Sequence, residues 1–183
     1  MITKEQFVKV LDGFTGDTIE LSTSTKLKMN KGGRGGVEPN PYYDRDVRRQ
    51  KTSKYLFGKN YLDMINESLA AEGKPAATEE QFSNKLPWGE YEVKDKVIAY
   101  NGAHYIRCYP IKDQEDNEVI TIDGVPATKE ELEVINKYVP EKKASKKQED
   151  AGITEENRVT PLLFSFDNIN YAVIDGTTYE VEK

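Results

Sequence analysis

Tyr91–Ile111 reads YEVKDKVIAYNGAHYIRCYPI. Asn101-Gly102 separates two runs rich in β-branched and aromatic residues, Tyr91–Tyr100 and His104–Ile111. A two-residue Asn-Gly link is a strong hairpin signal, because both central positions of its turn need positive φ. The two runs therefore predict paired antiparallel strands. The same punctuation recurs downstream. Glu118–Ile122 ends at Asp123-Gly124, and Tyr171–Ile174 meets Thr178–Val181 at Asp175-Gly176. Val159–Phe166 reads as a further strand. Upstream, Thr18–Met29 alternates Ile19 and Leu21, then Leu27 and Met29, with polar neighbours, which predicts one long strand or a broken pair. Asp46–Phe57 mixes β-forming residues with bases and predicts a strand with a charged face.

Three segments have helical spacing instead. Thr3–Gln6 fits a capping box, and Phe7, Val10, Leu11 and Phe14 follow on one face, ending near Gly13 or Gly16. Asn60 is placed to cap a helix carrying Tyr61, Met64, Ile65, Ser68 and Leu69, stopped by Gly73. Thr128 caps Lys129–Tyr138, with Leu132 and Ile135 inward. Lys74–Gly89 reads as a connector, with a second capping box at Thr78–Gln81 and Trp88 as a packing anchor. Strands outnumber helices and many are joined by hairpins. The fold class expected is α+β: mainly an antiparallel sheet or small curled barrel with two to three short helices. Residues 1–139 form the main domain, 140–157 a polar linker or loop, and 158–183 C-terminal strands packing on the same domain.

At 183 residues the chain is long enough for one domain with a real core. Cys108 is the only cysteine, so no disulfide closes within the chain and a reducing cytoplasm is expected. MITKEQFVKVLDGF lacks the apolar run of a signal peptide, and no stretch approaches the ~20 apolar residues of a membrane span. A soluble, intracellular protein without membrane partners is the expectation.

Charge is unevenly distributed. Lys26–Lys59, KLKMNKGGRGGVEPNPYYDRDVRRQKTSKYLFGK, holds ten bases and three acids, a net +7; the other residues hold sixteen bases against twenty-nine acids, −13. The overall charge of −6 argues against a protein that coats nucleic acid with its whole surface, but not against a local basic patch. Within the segment, Lys26, Lys28, Lys31, Arg34, Arg45, Arg48, Arg49, Lys51, Lys54 and Lys59 can follow a phosphate backbone. Gly32–Gly36 can bring backbone N–H groups close to phosphate oxygens, and Tyr42, Tyr43, Tyr55 or Phe57 can stack on bases. The other reading is a solvated basic strand face that blocks edge aggregation, with the tyrosines packed beneath it.

Catalytic signatures are missing from the sequence. GGRGG lacks the G-x-x-x-x-G-K-[ST] spacing of a phosphate loop. His104, the only histidine, and Cys108 share a strand face about 13 Å apart at ~3.3 Å per residue, too far for proton exchange. One His and one Cys do not make a zinc site. DQEDNE at Asp113–Glu118 lacks EF-hand spacing, and KKASKK at Lys142–Lys147 is nearly neutralised by the acids that follow. No catalytic residue, metal or cofactor is assigned.

Several landmarks together resemble a family of uncharacterised small proteins of tailed bacteriophages and phage-like metagenomic contigs. They are NPYYDR (Asn40–Arg45), KNYLDMINESLAAEG (Lys59–Gly73), the LPWG turn, HYIRCY (His104–Tyr109) and IDGVPATKEELEVI (Ile122–Ile135). The resemblance implies a phage product acting in the host bacterial cytoplasm and carries over no catalytic residue. Two functions are expected from this reading. One is a non-enzymatic accessory protein that binds single-stranded or structured nucleic acid through Lys31, Arg34, Tyr42, Tyr43, Arg45, Arg48, Arg49, Lys51 and Lys54. The alternative is a counter-defence or host-takeover protein that binds a host bacterial protein or sequesters a nucleotide signal.

Overall fold

A computed structural model describes residues 1–59, 61–78, 85–86, 89–90, 97–100, 102–111, 114–115, 117–140, 152, 154, 159 and 161–183, with the backbone alone at 61, 85–86, 89–90 and 100. The expectations for Asn60, for the capping box ending at Gln81, for Trp88 and for Lys142–Lys147 lie outside the described residues.

Among the described residues, three α-helices, α1 (Lys4–Gly13), α2 (Tyr61–Ala71) and α3 (Lys129–Asn136), accompany a nine-stranded sheet. Its strands are β1 (Thr18–Lys26), β2 (Val47–Phe57), β5 (Val97–Tyr100), β6 (Ala103–Pro110), β7 (Asn117–Ile122), β8 (Val125–Pro126), β9 (Leu162–Ser165), β10 (Ile169–Ile174) and β11 (Thr177–Tyr179). The short strands β3 (Lys85–Leu86) and β4 (Gly89–Glu90) pair separately. The main path runs β11-β10-β1-β2-β6-β5, the ladders between these strands are antiparallel, and the sheet curls into a half-barrel. The α+β class expected from the hairpin signals is the fold observed. β8 is an addition: after Asp123-Gly124 the chain turns back for two residues, too short to give an alternating pattern.

β2 is the spine. β1 lines one edge over nine residue pairs. The other edge is shared, with β7 opposite Val47–Thr52 and β6 opposite Tyr55–Phe57. Where one partner hands over to the next, the Gln114 side chain fills the ladder. It accepts from Lys54 N at 3.3 Å and donates to Lys54 O at 2.7 Å, so these backbone groups stay satisfied.

Side-chain alternation along the strands separates the two faces. On one face, Phe7 and Leu11 of α1 pack with Ile19, Leu21, Tyr55, Phe57, Ile106 and Cys108. Full burial of a side chain like Phe7 or Leu11 is worth about 1.5–3 kcal/mol. α1 starts as its sequence dictates: Thr3 Oγ1 accepts from Gln6 N at 3.1 Å, and Gln6 Oε1 accepts from Thr3 N at 2.8 Å. α3 covers the far end of the same face, where Ile135 meets Leu27, Val47 and Ile122. α2 sits on the opposite face, with Ile65 and Leu69 against Tyr109 and Leu56. His104, Ile106 and Cys108 do share a face: His104 stacks on Phe166 at 5.4 Å, and Phe166 belongs to the α1 cluster. Arg107, on the other side of that strand, is 2% exposed, a burial that its charge did not announce.

Candidate nucleic-acid interface

The basic segment leaves the sheet at Lys26 and returns at Val47. Between them the chain is an ordered loop. Leu27 N donates to Val47 O at 2.9 Å, which extends the β1–β2 ladder past its strands. Asn30 N donates to Tyr138 O at 2.7 Å, tying the loop to the end of α3. Asn40 N donates to Lys31 O at 2.8 Å, and Gly33 N to Val37 O at 2.9 Å, so the two arms run back along each other. The tip is Arg34-Gly35-Gly36, closed by Val37 N donating to Arg34 O at 3.1 Å.

Two buried side chains hold this loop. Asn40 donates from Nδ2 to Asn30 O at 3.0 Å and accepts from Tyr42 N at 2.9 Å. Tyr138 Oη lies 3.0 Å from Glu38 O and 3.3 Å from Pro39 O. Gly32 is required by this arrangement. Its φ is +69°, and an added Cβ would meet the Glu38 carbonyl oxygen and the Tyr138 ring. The glycines therefore shape a folded loop. The N–H groups of Gly33 and Val37 are used inside it and are not turned toward a ligand.

The structure sorts the nine candidate residues into three groups. Lys31, Arg34 and Tyr43 come together. A groove of about 580 Å³ is lined by Lys31, Gly32, Gly33, Arg34, Pro39, Asn40, Tyr43 and Asp44. A second, of about 520 Å³, is lined by Lys26, Leu27, Lys28, Met29, Tyr43 and Asp44. Tyr43 borders both and is 42% exposed. Lys26, Lys28, Lys31 and Arg34 are exposed and join no ion pair among the described residues. Among the described residues, Asp44 is the one acid lining either groove.

The second group is engaged within the fold. Tyr42 is half-buried against the α3 cluster of Val47 and Ile122. Arg45 clamps the loop to the β7–β8 turn: its Nε donates to Asp123 Oδ2 at 2.6 Å, while Asp123 Oδ1 accepts from Asp46 N at 3.0 Å. These contacts, the backbone hydrogen bond first and the Arg45 hydrogen bond second, hold the Asp123 carboxyl below its usual pKa. Arg49 Nε lies 2.9 Å from Glu118 Oε1, an ion pair whose angle falls outside hydrogen-bond geometry.

The third group lies along β2. Arg48 and Lys54 occupy the face away from α1 and α3, and Arg48 Nε contacts Asp46 Oδ1 at 3.1 Å. Lys51, like Arg49, is on the α1 and α3 side. Adjacent bases on a strand cannot act together on one ligand surface, and Arg48 and Arg49 are divided in this way. Sequence reasoning passed over Asn40, Tyr138 and Asp123, which position the loop. Asn40-Pro41 and Asp123-Gly124 carried turn signals, but nothing local to Asp123 or Tyr138 marked the loop residues they hold, 77 to 100 positions away.

Among the described residues, no group of three His, Cys, Asp or Glu is arranged to hold a metal ion, and no helix is long and apolar enough to cross a membrane. The chain matches no protein-family model, no curated protein and no solved structure. The site is therefore read from its own geometry.

Proposed function

We propose that this protein is a non-enzymatic accessory protein that binds nucleic acid at the loop between β1 and β2. The observation that carries this reading is the exposed ring of Tyr43, set between two grooves whose cations, Lys26 and Lys28 on one side and Lys31 and Arg34 on the other, join no ion pair among the described residues. A base stacked on an aromatic ring gains about 1–3 kcal/mol, and flanking cations gain by releasing counterions from phosphates. A folded loop supplies this surface without a large ordering cost on binding. The resemblance to small proteins of tailed phages supports a setting in the cytoplasm of an infected bacterium.

The test is fluorescence anisotropy of a labelled oligonucleotide across a salt series. Four phosphate contacts on a single strand give a log–log salt slope of about −3. Tyr43→Ala and Arg34→Glu should each weaken binding about tenfold. Affinity that ignores salt, or the absence of any affinity for DNA and RNA, would sink the reading. The groove volumes also suit a small nucleotide, which favours sequestration of a nucleotide signal as the second reading. That reading expects a mononucleotide to bind as tightly as an oligonucleotide.

A further inference from the structure

Resting on the nucleic-acid reading of the Tyr43 site, we infer that its ligand is a single strand. We further infer that the strand continues from Tyr43 across the outer face of β1 and β2, over Lys26 and Arg48 toward the Ser22–Thr52 pair.

Register and alternation fix that face. Val47, Tyr55 and Phe57 of β2 enter the core clusters, and Arg49 lines a groove beneath α3 with Leu132 and Asn136. Arg48, Gln50 and Thr52 therefore point the other way. Opposite them in the ladder stand Lys26, Ser24 and Ser22, in the pairs Lys26–Arg48, Ser24–Gln50 and Ser22–Thr52. None of the six belongs to a hydrophobic cluster, and Lys26 and Gln50 are exposed. The strip is a row of hydroxyl and amide groups with two cations at one end.

That cationic end joins the Tyr43 site, since Lys26 lines the groove beside Tyr43. The Asp46 partner of Arg48 is itself half-exposed, so the ion pair is of little net worth and can yield to a phosphate. At the far end the next pair is Glu20–Lys54, whose carboxylate opposes a phosphate there. From Lys26 to Ser22 is about 13 Å at ~3.3 Å per residue. With the nucleotide on Tyr43, the footprint is about four nucleotides, the low end for single-strand sites.

A single strand fits where a duplex does not. Stacking on Tyr43 needs an unpaired base, and a duplex keeps its bases inside. Hydroxyl and amide side chains can meet sugar, phosphate or base edges of an open strand.

The experiment compares full-length wild type with Arg48→Gln, Arg49→Gln and Gln50→Glu, each checked for a native melting transition. The probes are an oligothymidylate of about 12 nucleotides, its duplex with oligoadenylate, and thymidine monophosphate. The expected results are preference for the single strand, a salt slope shallower by about 0.7 in Arg48→Gln, and no change in Arg49→Gln. Gln50→Glu, which places a new charge mid-strip at an exposed site, should weaken binding severalfold. If Tyr43→Ala weakens binding but Arg48→Gln and Gln50→Glu do not, the strip is wrong and the loop reading stands. Equal loss in Arg48→Gln and Arg49→Gln overturns the face assignment. Equal affinity for the duplex overturns the single-strand assignment, and equal affinity for the monophosphate overturns the extended footprint. No binding of any probe overturns the loop reading together with this one.

Discussion

Tyr138 Oη lies 3.0 Å from the carbonyl oxygen of Glu38, a residue 100 positions earlier in the chain. One hydroxyl just past α3 thus helps set the shape of the glycine loop. Tyr138→Phe keeps the ring and removes only the O–H. A net loss of about 1 kcal/mol in stability is expected, readable by urea denaturation. If the loop's shape matters for binding, oligonucleotide affinity falls in the same variant although Tyr138 lines neither groove beside Tyr43. Unchanged stability and unchanged affinity would show that the hydrogen bond is dispensable.

The glycines offer a sharper contrast. Gly32 and Gly35 both have positive φ, +69° and +61°. A Cβ at Gly35 meets nothing within 4 Å, whereas one at Gly32 drives into the Glu38 carbonyl and the Tyr138 ring. Gly35→Ala should therefore cost only the backbone strain, about 1 kcal/mol. Gly32→Ala should cost more, about 2–3 kcal/mol, because the loop must also open. Equal effects on the melting temperature would mean that the loop adjusts freely around residue 32.

The sheet was legible because its signals are local. Asp123-Gly124 and Asp175-Gly176 mark turns, and Asp123 and Asp175 do take positive φ, 50° and 51°. Thr3–Gln6 announced α1 through residues three apart. The candidate site was legible only as a charge excess. Arg48 and Arg49 looked like one basic cluster, but strand alternation sends them to opposite faces. Arg45 looked like a phosphate contact, and its partner Asp123 is 78 positions away. Whether a cation is free or engaged depends on such distant partners, and composition does not encode them.

Cys108 is fully buried among the α1 core residues, and burial pushes its thiol above the usual range. Thiolate is the reactive form, so the native protein should be inert to a thiol reagent. Modification by Ellman's reagent should follow unfolding, slow in native buffer and stoichiometric in denaturant. A full equivalent released on mixing with native protein would contradict the packing of β6.

Asp123 gives the fold a pH dependence whose direction follows from its contacts. Its carboxylate accepts hydrogen bonds from Asp46 N and Arg45 Nε, so the ionised form is favoured in the folded state and its pKa is lowered. The stabilisation is complete above the unfolded carboxylate pKa of about 3.9 and is lost as pH falls through the lower folded value. Asp123→Asn is the suitable probe, because asparagine tolerates the positive φ and removes the charge. At neutral pH the variant should melt at a lower temperature than wild type, and added salt should narrow the gap because the Arg45 pair is exposed. The gap should also close as pH falls below about 4. A gap that stays constant from neutral pH into acid would mean that the carboxylate charge contributes nothing to holding the loop against the β7–β8 turn.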